Sequence, residues 1–101
     1  MKLNIYSIYD TAAAAYMRPF FLQSDAQAKR AFSDIATDAE HAVGQHPEDY
    51  FLVRIGVFDD ATGKLVPEDV ESLATGLEMV AAARNVDPAA MDMFKHNVEE
   101  H

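Results

Sequence analysis

Tyr50 to Val66 reads YFLVRIGVFDDATGKLV. Side chains alternate along an extended chain, so Phe51, Val53, Ile55 and Val57 share one side. Tyr50, Leu52, Arg54 and Phe58 share the other. Apolar residues on both sides mark a central strand, packed above and below. Asp59-Asp60-Ala61-Thr62-Gly63 is the turn, with Gly63 supplying the positive φ that a type I turn plus bulge demands. Lys64-Leu65-Val66 is the returning strand of a hairpin.

Working outward, residues 2–9 read as another strand, Leu3 and Ile5 facing one way and Asn4 and Tyr6 the other. Ala12–Ala15 favours a short helical turn that Arg18-Pro19 ends, because the residue before proline avoids the α region. Phe20-Phe21-Leu22 is an apolar clump. Ser24 and Gln27 form a capping box, which predicts a helix over 25–42. Ala28, Ala31, Phe32, Ile35 and Ala39 are its apolar face, and Gly44 is its left-handed terminator. Pro67 suits the first turn of a second helix, with Glu68 and Asp69 favourable at its N-terminus and Val70, Leu73, Leu77 and Val80 buried. Asp87-Pro88 caps a third helix carrying Met91, Phe94 and Val98. That last helix is thin in apolar residues for its length, which points to docking on a second copy or to fraying.

The predicted order is strand, helix, strand, strand, helix, helix. This is an α+β fold: a small, mainly antiparallel three-stranded sheet with helices packed on one face. The direction in which the first strand pairs with the second stays open, since a connection of about 40 residues with one helix also permits a right-handed crossover. A chain of 101 residues makes one domain, and residues 67–101 form its acidic, helical C-terminal part.

The chain has no cysteine, which excludes disulfides and thiolate metal sites. No stretch approaches the roughly 18 apolar residues that cross a bilayer, and the alternating start is unlike a signal peptide. The expectation is a soluble, intracellular protein without a membrane partner. His41 and His46 are five residues apart, as are His96 and His101, whereas zinc-binding pairs on a helix need three or four. The aspartates of the hairpin lack the alternation of a calcium loop, and turn chemistry accounts for them. No nucleophile elbow, phosphate loop or dinucleotide fingerprint occurs, so neither an enzyme nor a cofactor is expected.

The net charge of −9 is unevenly spread. Residues 1–30 hold four cations (Lys2, Arg18, Lys29 and Arg30) against two acids, and the remaining residues hold four against fifteen. Five of the ten aromatic residues lie in the first 21 positions: Tyr6, Tyr9, Tyr16, Phe20 and Phe21. Bases of single strands stack on exposed rings while nearby cations track the backbone. The candidate contacts for single-stranded DNA are therefore Tyr6, Tyr9 and Tyr16 for stacking, and Lys2, Arg18, Lys29, Arg30 and Arg54 for phosphate. The competing reading puts Phe20 and Phe21 in the core and the tyrosines on the half-buried back of a sheet.

Several of these pieces, taken together, resemble a known family. They are Tyr6-Ser7-Ile8-Tyr9-Asp10, Pro19-Phe20-Phe21, Arg30-Ala31-Phe32, His46-Pro47-Glu48-Asp49-Tyr50, Ile55-Gly56-Val57-Phe58-Asp59 and Thr62-Gly63-Lys64-Leu65. In this order they look like the small non-structural protein of gokushoviruses, phages of the microvirus group with circular single-stranded DNA genomes. The resemblance implies a DNA-binding protein, absent from the mature particle. It would assist genome replication or packaging in the host cell cytoplasm. It assigns no residue a role. The acidic balance supports an alternative: a protein-binding module that recruits or inhibits a basic phage or host protein, imitating the charge of DNA.

Overall fold

A computed structural model describes residues 1–84. Five strands form one antiparallel sheet: β1 (Lys2–Asp10), β2 (Ala15–Tyr16), β3 (Phe20–Leu22), β4 (Tyr50–Asp59) and β5 (Lys64–Thr75). Three α-helices accompany it: α1 (Asp25–Ala36), α2 (Ala42–Gln45) and α3 (Gly76–Arg84), with a 3₁₀ turn at Pro47–Asp49. The fold is α+β and antiparallel, with five strands rather than the three expected.

β1 lies inside the sheet. Its whole length pairs antiparallel with β4, from Lys2↔Asp59 to Asp10↔Tyr50, so the long connection does not cross over to a parallel strand. Along its other edge run β2 and then β3, the first opposite Tyr9 and Asp10, the second opposite Asn4 to Tyr6. Residues 12–15 are thus not a helical turn. Asp10 Oδ1 accepts from the Ala12 and Ala13 amides, and Ala14 takes φ 53°, so the chain reverses on itself. The side-chain bonds of Asp10 offset the cost of that left-handed alanine.

α1 begins as its capping signal predicts, with Ser24 accepting from the Gln27 amide at 3.2 Å. It stops at Ala36, short of the expected 42. Thr37 bonds back to the Ser33 carbonyl at 2.8 Å, and Asp38 Oδ1 accepts from the Glu40 amide, which offers the backbone a local alternative to the helix. Gly44 lies inside the separate α2 instead of ending α1. Ala28, Phe32 and Ala36, four residues apart, form the buried stripe. They pack with Val43 against Tyr6, Ile8, Leu52 and Ala74, each buried, and Met79 of α3 joins the same cluster. Each large side chain closed off here contributes about 1.5–3 kcal/mol.

The largest departure from expectation is the helix placed after Pro67. Residues 64–75 are strand, and the helix starts only at Gly76. β5 is a sheet edge, where proline's missing N–H costs nothing, and the residue before proline prefers an extended backbone. The spacing of Val70, Leu73 and Leu77 fits a helix, but pairing with β4 across eight residues wins. The expected third helix at Asp87-Pro88 lies outside the described residues.

Gly63 has φ 73° and donates its amide to the Asp59 carbonyl at 2.8 Å, closing the β4–β5 turn as expected. Gly76 carries a different constraint: a Cβ there would lie 2.8 Å from the carbonyl carbon of Pro47. Both neighbours of that contact are backbone. Gly76→Ala should therefore cost about 1–3 kcal/mol of stability in urea unfolding, by overpacking. Gly63→Ala, strained but in open space, should cost about 1–2 kcal/mol. A urea midpoint unchanged by Gly76→Ala would show that α3 does not pack this closely.

Candidate nucleic-acid interface

The helices cover one face of the sheet. Tyr6, Ile8 and Leu52 face them, so their strand neighbours Leu3, Ile5, Ser7 and Tyr9, and Phe51 and Val53, face the other way. An extra residue at Ile55 keeps the faces in step along the rest of β4, where Gly56 and Phe58 pair with Ile5 and Leu3. Among the described residues no helix packs on this second face. None of its strand-paired positions carries a carboxylate: across the five strands they hold Leu3, Ile5, Ser7, Tyr9, Tyr16, Phe21, Phe51, Val53, Gly56, Phe58, Leu65, Pro67, Ser72 and Thr75.

At one end of this face three rings lie in one row. Tyr16 pairs with Tyr9, and Tyr9 pairs with Phe51, across β2, β1 and β4. The Tyr9 and Tyr16 ring centroids are 4.7 Å apart at 54°. Tyr16 is 53% exposed, while Tyr9 and Phe51 are half-buried. The β2–β3 break sits beside them. There the Met17 amide donates to the Ile8 carbonyl at 2.8 Å, and the buried Ser7 hydroxyl donates to the Met17 carbonyl at 2.7 Å. These two bonds fix the segment that presents Arg18, which is exposed two residues after Tyr16.

Of the eight residues expected to contact nucleic acid, the structure brings together Tyr9 and Tyr16, with Arg18 exposed two residues along the chain. Tyr6 is a correction. It is fully buried and offers no ring surface for stacking. Its hydroxyl donates to Asp25 Oδ1 at 2.7 Å and accepts from the Asn4 amide at 2.9 Å. Burial, with the Asp25 carboxylate next, pushes its pKa up to about 12. Arg54 is a second correction. Its guanidinium lies 3.1 Å from Asp25, 2.8 Å from Glu71 and 3.7 Å from Glu68, so it is committed within the fold. Asp25 foremost, then Glu71 and Glu68, raise its pKa further. Lys29 and Arg30 are exposed on α1, across the sheet from the tyrosine row. Lys2 is exposed at the opposite end of β1. Phe51 is the residue that the expected set lacked; alternation along β4 already set it apart from Leu52, but not on the side of Tyr9.

One carboxylate, Asp10, follows Tyr9 on β1 and pairs with Ala15 and Tyr50 beside the row; others gather elsewhere. Asp25, Glu68 and Glu71 surround Arg54 on the helical side, and Asp59 and Asp60 sit at the β4–β5 turn. The Ala61 amide bonds Asp59 and holds its carboxyl below the usual range. His41 accepts from the Val43 amide at 3.1 Å and so caps α2. His46, Glu48 and Asp49 bring one ligand atom each within 4.8 Å of one another beside the 3₁₀ turn; His46 and Glu48 are exposed. His96 and His101 lie outside the described residues. No helix among the described residues is long and apolar enough to cross a membrane.

The sequence matches the family described as Phage ORF5 protein over residues 3–79. The chain belongs to the Phage ORF5 protein family. The matched span runs from β1 into α3 and includes the whole tyrosine row and Arg18. No curated protein and no solved structure matches this ORF5 chain.

The buried hydroxyl of Tyr6 supplies a test of the ORF5 fold. Its pKa is raised from 10.0 to about 12, so the folded state holds this proton longer than the unfolded state does. The resulting stabilisation is complete below pH 10 and is lost as pH rises toward 12. Ultraviolet titration should show a tyrosine ionising near pH 12 that is missing in Tyr6→Phe. The substitution should also cost about 1–3 kcal/mol, since Asp25 loses a charge-assisted bond. Complete tyrosine ionisation by pH 11 with the fold intact would contradict the burial.

Proposed function

We propose that this phage protein binds single-stranded DNA on the helix-free face of its sheet, at the Tyr16–Tyr9–Phe51 row, with Arg18 meeting the phosphates. The observation that carries the reading is the row itself. Aromatic rings on adjacent strands, one of them half exposed, stand on a face without carboxylates at its paired positions. Stacking of a base on such a ring contributes about 1–3 kcal/mol and tolerates any sequence. The resemblance to the gokushovirus non-structural protein supports the same substrate, and with it a role in genome replication or packaging in the host cytoplasm. Because the chain carries −9, attraction to phosphate is small and stacking leads.

A second reading keeps the acidic surface as the working part. Asp34, Asp38, Glu40 and Glu78 are all exposed on the helical elements and their connections. They would suit a basic phage or host protein as partner, in the manner of a DNA-charge mimic.

Fluorescence anisotropy with a labelled oligonucleotide separates the two. On the first reading Tyr16→Ala weakens binding about 5- to 100-fold, the equivalent of one stacked base. Arg18→Ala flattens the plot of log affinity against log salt by roughly 0.7, the slope for one phosphate on a single strand. Lys29→Ala and Arg30→Ala, across the sheet, leave both unchanged. Affinity that ignores Tyr16→Ala, or responds only to Lys29 and Arg30, would overturn the first reading; absence of oligonucleotide binding at physiological salt would favour the second.

A further inference from the structure

The 3₁₀ turn at Pro47–Asp49 carries chemistry that the proposed function does not use. Such a turn has three residues per revolution, so side chains at i and i+3 stand one above the other. His46 and Asp49 have that spacing, with Glu48 next to Asp49. One nitrogen of His46 and one carboxylate oxygen each from Glu48 and Asp49 lie within 4.8 Å of one another, and His46 Nδ1 is 3.8 Å from Glu48 Oε1. Donors about 2.1 Å from a shared ion stand roughly 3–4 Å apart. The side chains of His46 and Glu48 are 64% and 35% exposed, with room to rotate and close the difference. The backbone beneath them is held. The Asp49 amide donates to the His46 carbonyl at 3.0 Å, and the His46 amide to the Ala42 carbonyl at 3.2 Å. The Asp49 carbonyl accepts from both the amide and the hydroxyl of Thr11, each at 2.9 Å. Pro47 fixes its own φ, and Gly76 of α3 packs against its backbone.

We infer that His46, Glu48 and Asp49 bind a divalent transition-metal ion, through one imidazole nitrogen and two carboxylate oxygens, with water completing its coordination. The donor set selects the class. Imidazole suits Zn²⁺ and its first-row neighbours, whereas Mg²⁺ and Ca²⁺ take oxygen ligands. The two histidines of this region differ in what they do. His41 Nδ1 caps α2, but the His46 side chain makes no capping bond at the 3₁₀ turn. Charge favours the same place. Residues 31–53 hold five acids and no Lys or Arg. The carboxylates near Arg54 and at the β4–β5 turn, by contrast, already hold cations: Asp25, Glu68 and Glu71 surround the guanidinium, and Asp60 pairs with the Met1 ammonium at 2.7 Å. Histidine spacing alone does not reveal the site, because the partners of His46 are carboxylates two and three residues on. The site is separate from the tyrosine row, and its test involves no nucleic acid.

Isothermal titration of the full chain with ZnCl₂ near neutral pH should reveal a site that about a hundredfold excess of Mg²⁺ does not displace. His46→Gln and Asp49→Asn should each weaken that site at least about tenfold, the loss that even an outer-shell change causes, with an unchanged circular dichroism spectrum. His41→Asn, which keeps a capping side chain on α2, should leave the affinity as it is. So should the double substitution His96→Asn and His101→Asn, which removes the histidines outside the described residues. Absence of a Zn²⁺ site overturns the inference. So does a site that Mg²⁺ displaces, which is attraction to acidic groups alone, and so does a site that survives His46→Gln or is lost with His96 and His101.

Discussion

Arg54 organises this molecule. It is the one cation of the central strand, and it stands on the helical side between Asp25 at the start of α1 and Glu68 and Glu71 on β5. Asp25 in turn accepts from the buried Tyr6 hydroxyl of β1. Four elements are thereby tied at one point: α1, β1, β4 and β5. The guanidinium side chain is 28% exposed, so solvent screens these pairs and each contributes about 1 kcal/mol or less. Their effect is more on register than on energy. β5 has to slip against β4 between Arg54 and Gly56, and that slip lets Glu68 and Glu71 both reach Arg54. No buried side-chain polar atom among the described residues lacks a partner.

That arrangement also explains how so acidic a chain keeps the strand-paired positions of one face free of carboxylates. β5 is acidic at Glu68, Asp69 and Glu71. Had it been the helix that its apolar spacing suggests, those acids would have fanned around an axis. As a strand it sends two of them to Arg54, and Ser72 and Pro67 are what the other face receives. The neutral face is therefore a product of the same pairing that hides Arg54. One interaction removes a cation from the candidate site and holds two of the three β5 acids with it.

The parts of the fold legible in the sequence are those carried by short-range chemistry. The β4–β5 turn follows from Gly63, the start of α1 from Ser24, and the central place of β4 from apolar residues on both its sides. Illegible were the outcomes set by distant partners. Residues 64–75 satisfy both a helical and a strand period, and only β4 decides between them. The left-handed Ala14 owes its conformation to Asp10. Within the site, alternation alone already put Tyr6 and Tyr9 on opposite faces of β1, so one of the two had to be lost to the core. Which one depended on where α1 packs, and Phe32 against Tyr6 settles that. Lys29 and Arg30 are close to the tyrosines in sequence, but the thickness of the sheet separates them.

Distance across the molecule then governs how the acidic surface bears on the tyrosine row. A helix packed on a sheet places its outer side chains on the order of 10 Å or more from the far face. At physiological ionic strength the screening length is about 8 Å, so most of the field of those carboxylates is spent before it reaches the rings. Near 0.01 M salt the length grows to about 30 Å, and the whole −9 is felt everywhere on the surface. Net charge thus overstates the repulsion that a single strand would meet at this face under physiological conditions. What a single strand would meet there is local: three rings, paired sheet positions without a carboxylate, Arg18, and Asp10 next to the row.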